Sequence, residues 1–326
     1  MRRQACCLIA FLPLSSLAAA QSLSGPELDQ LLDTQRARIE ALTILGADFG
    51  LANGEFHSTG QRTAGTPVNA DISVNKFGGA GDVGDPQSLG ALPIGWQPVV
   101  QGSMGWLDST NHLETGALAG DASAFSAYAI QFGGGARFWF NDALSVAPTV
   151  MGMYGRVANT YEANSPYARQ NLTSLAHMGL IDWEVHTWTV RPALDVQYLL
   201  TLGRTIITLS SDGAFFDTQS FASSNRHLSV LGTAGSWDNK IDIDVPLGIL
   251  VFGHELRTGG YLSRTDLYGG LRDGLDVEHI NEAHARVVLD FLGQLWKVQW
   301  IGIGGSYLWG TAFTGWTVGA DVMFRF

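Results

Sequence analysis

Three stretches of the chain share one pattern of apolar and polar positions. In the segment 128–138, Tyr128, Ile130, Phe132 and Phe138 fall on one side of an extended chain, and Gln131, Gly133, Gly135 and Arg137 fall on the other. In 188–198 the two sets are Trp188, Val190, Leu194, Val196 and Tyr198 against Thr189, Arg191, Asp195 and Gln197. In 316–326 they are Trp316, Val318, Ala320, Val322, Phe324 and Phe326 against Thr317, Gly319, Asp321, Met323 and Arg325. Side chains alternate faces along a strand, so each stretch predicts a strand with one apolar and one polar face. Every apolar face begins and ends on an aromatic, ten residues apart.

That repeated length separates two otherwise equivalent readings, the core of a soluble sandwich and a wall facing lipid. Ten residues at ~3.3 Å each, tilted by about 40°, climb roughly 25 Å, the height of the apolar band of an outer-membrane barrel between its aromatic girdles. A sandwich core has no reason to repeat it. The same alternation predicts twelve strands, near 44–58, 67–78, 93–107, 126–140, 143–160, 182–200, 203–217, 239–252, 256–269, 277–292, 296–309 and 313–326. The number is even, as in bacterial outer-membrane barrels. Connections at Asn141-Asp142, Thr201-Leu202, Gly253-His254-Glu255 and Gly293-Gln294-Leu295 are short, and those around 108–125, 161–181 and 218–238 are long and polar. Short turns belong on the periplasmic side and long loops outside. The stretch 79–92 is long on the short side, and Pro148, Pro192 and Pro246 inside strands predict bulges.

Composition agrees. Only 15% of the 326 residues are charged, and 40 Gly with 16 Phe, 10 Trp and 8 Tyr favour strands and turns. No stretch approaches the ~18 continuous apolar residues of a helical span, which leaves a closed barrel as the way across a bilayer. Residues 1–20 read as a secretory signal: Arg2 and Arg3, an apolar run to Leu17, then Ala18-Ala19-Ala20. Both cysteines, Cys6 and Cys7, lie within it, so no disulfide or cysteine metal site is expected afterwards. Losing Arg2 and Arg3 takes the formal charge from −11 to −13, which argues against nucleic-acid binding.

Residues 21–42 precede the barrel, assigned to 43–326. Pro26 suits a first helical turn, acids gather towards the N-terminal end, Arg36 and Arg38 towards the C-terminal end, and Leu28, Leu31, Leu32, Ile39 and Leu42 form an apolar stripe. A helix over 26–42 is therefore predicted, in the lumen or below it.

With these features and an ending V-x-F-x-F, the chain resembles autotransporter translocator barrels, and most of all the solitary autotransporter-like outer-membrane barrels. The resemblance implies an all-β, transmembrane antiparallel barrel of about 12 strands in the outer membrane of a Gram-negative bacterium, surrounded by outer-membrane lipid and monomeric. It implies that the barrel-assembly machinery reads the last strand, with Gly319, Val322, Phe324 and Phe326 as the signal. It also implies a helix in the pore. Parity assigns Arg137, Arg191, Asp195 and Arg325 to the lumen as partners for Asp33, Arg36, Arg38 and Glu40 of the helix, with Gly133 and Gly135 leaving it room. Residues 21–23 are too few for a passenger domain.

Catalysis is not expected. No G-x-S-x-G occurs, and His254-Glu255-Leu256-Arg257-Thr258 lacks the second histidine of H-E-x-x-H. Glu278, Glu282, His284, Arg286 and Asp290 share one face, more in keeping with a lumen wall than an acid–base site, and His279 lies opposite. His186 and His227 are expected at solvent-exposed loops. The sequence thus points to a non-enzymatic barrel with a surface or plugged-pore role and no cofactor or metal. The alternatives are a small-solute channel and a hydrolase or lipid-modifying enzyme at the barrel rim.

Overall fold

A computed structural model describes residues 25–48, 54–61, 67–90, 94–112, 120–295, 298–310 and 313–324. Helix α1 (Gly25–Ala47) leads into twelve long strands. They are β1 (Gly54–Gln61), β2 (Pro67–Asp82), β3 (Gly95–His112), β4 (Ala122–Trp139), β5 (Leu144–Glu162), β6 (Trp183–Leu202), β7 (Thr205–Ser223), β8 (Leu231–Val251), β9 (His254–Gly269), β10 (His279–Leu295), β11 (Val298–Gly310) and β12 (Phe313–Phe324). Each pairs antiparallel with its sequence neighbours, and β1 pairs with β12 from Glu55↔Trp316 to Ser58↔Phe313, so the sheet closes on itself. A two-residue ladder at Gln87–Ser88 folds the connection 83–94 back onto β3. Among the described residues no helix is long and apolar enough to cross a membrane.

The parity expectation can be read directly. Trp188, Val190, Leu194 and Tyr198 of β6 are exposed on the outer face, while Thr187, Thr189 and Arg191 between them are buried inside. Tyr128, Ile130 and Phe132 of β4 and Trp316 and Val318 of β12 are likewise exposed on the outer face. Phe326 and Arg325 lie outside the described residues.

Several boundaries differ from expectation, each for a local reason. The first strand begins at Gly54 instead of 44, because Ile44, Leu45 and Ala47 continue the helix and are buried by it. The turn between β6 and β7 is Gly203-Arg204, with Gly203 at φ +64, and that between β8 and β9 is Phe252-Gly253, both at positive φ. Such two-residue turns match the twist of the flanking strands. Of the three prolines, Pro246 adjoins a true bulge, the register shifting between Leu256 and Arg257 around Leu247 and Gly248. At Pro148 and Pro192 the ladder only skips positions and keeps its register, because a missing N–H deletes a bond without adding a residue. At the opposite end, strands rise further than predicted, and the connections there carry α2 (Pro166–His177), a 3₁₀ turn (Arg226–Leu228) and α3 (Gly270–Leu275). Asp121 clamps the first of these. Its carboxylate accepts from the Tyr161 and Ser165 hydroxyls and from the backbone N–H groups of Asn164 and Ser165.

The interior is not uniformly polar. Towards the long-connection end, Leu107, Phe125, Ala127, Met153, Val157, Val185, Phe216, Leu267 and Leu308 point inward and are buried. Polar inward residues dominate only towards the short-turn end, for the reason given by α1 below.

Because Leu194 faces outward near the middle of the Trp188–Tyr198 span, Leu194→Arg should destabilise the barrel by about 2–4 kcal/mol, as for a cation at the bilayer midplane. Gln197→Arg, on the lumen side, should cost much less. Refolding titrations into lipid compare the two directly, and equal losses would contradict the assigned faces.

Candidate functional site: a helix held inside the barrel

Helix α1, 23 residues and ~34 Å long, lies against the inner surface of the ring. Leu32, Ile39, Leu42, Ile44 and Leu45 are buried, and they share one cluster with the inward apolar residues of the wall. Leu32, Ile39 and Leu42 of the predicted stripe therefore pack on the barrel's own inner face, while the Leu28 and Leu31 side chains lie outside the described ones. That explains why this half of the lumen is apolar: the helix covers it.

Close approach is possible where the wall has no side chain. A Cβ on Gly105 would strike the Gly46 carbonyl, one on Gly155 would strike Thr43, and one on Gly274 would strike Ala37 and Ala41. Gly133 and Gly135, expected to make this room, do something else. A Cβ there would meet Val150, Met151, Pro148 and Thr149 of the adjacent strand, so these glycines serve tight strand–strand contact in the wall.

The C-terminal end of the helix is fixed by a polar anchor. Arg191 Nε donates to the Asp48 carboxylate at 3.1 Å, and its other arm lies 3.5 Å from Asp212. Asp48 and Arg191 are both nearly solvent-free, and the guanidinium also stacks over Phe216 at 5.6 Å. Lys76 donates to the Asp48 carbonyl at 2.7 Å, Ser103 to the Ala47 carbonyl, and Thr43 and Thr187 share a buried hydroxyl bond of 3.1 Å. The last carbonyls of a helix lack intrahelical partners and carry partial negative charge, so donors and cations from the wall are the complement they require. Nearer the N-terminus, Arg36 donates twice to the His227 carbonyl in the 3₁₀ connection and pairs with Asp33 at 2.5 Å.

This set differs from the expected one. Of the luminal charges named from sequence, Arg191 meets the helix through Asp48, a residue that the strand reading had placed in the wall. Arg137 and Asp195 bind each other at 3.3 Å, Arg137 also binds Asp82 at 3.1 Å, and Gln197 donates to Asp195, all within the wall beyond the helix end. Arg38 lies over the Phe125 ring at 5.2 Å, and Glu40 is buried beside β7, β8 and α3 instead of facing an arginine of the lumen. Gly319, Val322 and Phe324 lie in β12; Phe326 and Arg325 are outside the described residues. Asp48, Lys76, Ser103 and Thr187 were missed because each is an ordinary polar position until the helix end arrives beside it.

The row on β10 is spent on ladder-to-ladder contacts. His284 bonds Ser306 at 2.8 Å and stacks on Tyr261, Glu282 accepts from Tyr261, Arg286 forks onto Asp242, and Asp290 faces Arg257. His186 sits in β6, half-buried between Tyr154 and Glu184, and not in a loop as expected. Among the described residues no cluster of His, Cys, Asp and Glu has the arrangement of a metal site.

The comparisons with known proteins bear on the whole ring. A family model described as a solitary outer membrane autotransporter beta-barrel domain matches residues 91–319. No curated protein matches. Among solved structures, the beta domain of the Bordetella autotransporter BrkA is similar at 14% identity and TM-score 0.50, covering 83% of this chain and 97% of that one. The transport unit of the autotransporter AIDA-I from Escherichia coli is similar at 9% identity and TM-score 0.54, covering 91% and 99%. At such identities the likeness is one of fold.

Replacing Arg191 by Met should remove the guanidinium that pairs with the buried Asp48 carboxylate, leaving only Lys76 beside it, and weaken helix docking by up to about 3–5 kcal/mol, the cost of breaking a buried pair from one side. Adding Asp48→Asn should recover part of the loss. Amide exchange across residues 32–47 in the folded barrel reads both, and unchanged protection in Arg191→Met would remove the anchor role.

Proposed function

Because the chain belongs to the solitary outer membrane autotransporter β-barrel domain family, a family of Gram-negative outer-membrane proteins, we infer that it acts as a plugged outer-membrane wall and not as a catalyst. The observation that carries this reading is the helix, packed on apolar wall residues between Leu32 and Ala47 and tied at its end by Asp48 and Arg191. A ring of twelve strands is wider than the eight-stranded kind that side chains alone can fill, and an unfilled one would perforate a permeability barrier. A helix about 10 Å across supplies the filling. Outer-membrane lipid is its solvent, one chain makes one barrel, and the barrel-assembly machinery is its partner during insertion through Gly319, Val322, Phe324 and Phe326.

The non-catalytic assignment is supported by the fate of the titratable groups. Those that could have formed an acid–base site on β10 are bound to neighbouring strands of the wall. A second reading, a small-solute channel, is favoured by the polar half of the lumen beyond the helix end, where Arg137, Asp195, Asp242, Asp244, Arg257 and Arg286 line the wall. The two readings differ in whether that half communicates with the other mouth.

Deleting residues 22–40 separates them. In planar bilayers a plug predicts a clear rise in single-channel conductance with the barrel still folded, and unchanged conductance would favour a helix without a sealing role. Solute flux through the intact protein in liposomes should be low if the plug reading holds and substantial for a channel.

Insertion has its own test. Phe326→Asp should lower outer-membrane yield and leave periplasmic aggregate. Normal amounts of heat-modifiable barrel would reject Phe326 as part of the signal.

A further inference from the structure

The acids on the described part of α1 sit in opposite surroundings. Asp29 and Asp33 are exposed, whereas Glu40 is only 2% exposed. The Glu40 carboxyl accepts from the Thr218 hydroxyl, but its Oε1 has no hydrogen-bond partner among the described residues. Two backbone segments close over it: a methyl on Gly232, at the start of β8, or on Gly270, at the start of α3, would overlap the carboxyl. The site has no room for a hydration shell. A carboxylate deprived of water and only partly bonded is strongly disfavoured, whereas the neutral acid is tolerated.

The charged groups on the surrounding elements do not reverse this. From β7 comes Asp217, whose negative charge opposes ionisation of Glu40. From α3 come Arg272 and Asp273, exposed and paired with each other at 3.0 Å, and Asp276. The connection before β8 brings Arg226 and His227, the latter offering its carbonyl to Arg36. On the helix itself Arg36 holds Asp33, and Arg38 lies over Phe125 on β4.

We propose that Glu40 is a proton-operated latch, which holds α1 inside the barrel while neutral and loosens it on ionisation. The proposal rests on the plug reading for its consequence, an opening of the lumen, but its first effect is on helix docking alone. Glu40 belongs to the internal helix and not to the membrane-spanning strands. Burial pushes its carboxyl up to about 7, with the Asp217 charge adding to the rise and the Thr218 bond opposing it. A group raised in the docked state and ordinary when undocked binds its proton more tightly when docked. The stabilisation is therefore complete below the ordinary carboxylate range and is lost as pH rises to and through about 7. Inside that window the docking equilibrium changes about tenfold per pH unit.

The test uses the full-length folded protein from pH 5 to 8.5, with two readouts: amide exchange of residues 32–47, corrected for the intrinsic pH dependence of exchange, and single-channel conductance. In the native protein, protection of the helix should fall through the window while conductance rises. Glu40→Gln should keep protection flat and high. Thr218→Val, which removes a bond favouring the ionised form, should move the midpoint to higher pH. Flat protection in the native protein, or the same response in Glu40→Gln, overturns the latch. If Glu40→Gln fails to give a heat-modifiable barrel, the Thr218→Val midpoint decides, and an unmoved midpoint counts against it. Loss of helix protection without any rise in conductance would retain the latch and sink the plug reading.

Discussion

A strand facing lipid must satisfy its backbone N–H and C=O groups on other strands, and the rest of the architecture follows from that requirement. It forces closure, which here depends on a short β1 bonded to the upper part of β12 through Glu55↔Trp316 to Ser58↔Phe313. Closure fixes the alternation, since with one face in lipid a one-residue slip would invert every strand. Twelve strands then enclose more space than their own inward side chains occupy. The helix and its anchor are the answer to a void created by the wall.

The helix and the wall are matched along their length by two different kinds of interaction. Apolar contact dominates where Leu32, Ile39, Leu42 and Leu45 meet Phe125, Val185 and Phe216, and this contact is non-directional. Direction comes from the end, where Arg191, Lys76 and Ser103 supply donors to a helix terminus that has run out of its own. Burying Arg191 and Asp48 together gains little net stability over an apolar pair, but it fixes how far the helix enters. Beyond that point the lumen has no apolar partner to meet, and its inward residues pair among themselves as Arg137 with Asp195 and Arg286 with Asp242.

Autotransporter-like barrels thus share a wall whose fold tolerates very low sequence identity, 9–14% against the two solved structures, because the wall needs only alternation, aromatic ends and turns. The residues that individualise this chain are the inward ones under the helix. Gly105, Gly155, Gly232, Gly270 and Gly274 are positions where the helix or its side chains come too close for a methyl group.

The sequence by itself determined the wall: the number of strands, their inward and outward faces at Trp188–Tyr198 and Tyr128–Phe132, and the presence of a helix ahead of them. These are legible because period-two alternation and girdle aromatics are local properties of a strand in lipid. Where the helix stops was not legible. Ile44-Leu45-Gly46-Ala47-Asp48 alternates well enough to be read as strand, and only the buried surface of the lumen, made by β3, β4 and β5 far along the chain, holds it helical. The charges followed the same division. Arg137, Arg191 and Asp195 share the inward face, but which one meets the helix depends on depth along the barrel axis, a coordinate that alternation does not encode. The tertiary structure alone decided that Arg191 meets Asp48, that Arg137 stays in the wall, and that Glu40 ends beneath Gly232 and Gly270 with one oxygen unpaired.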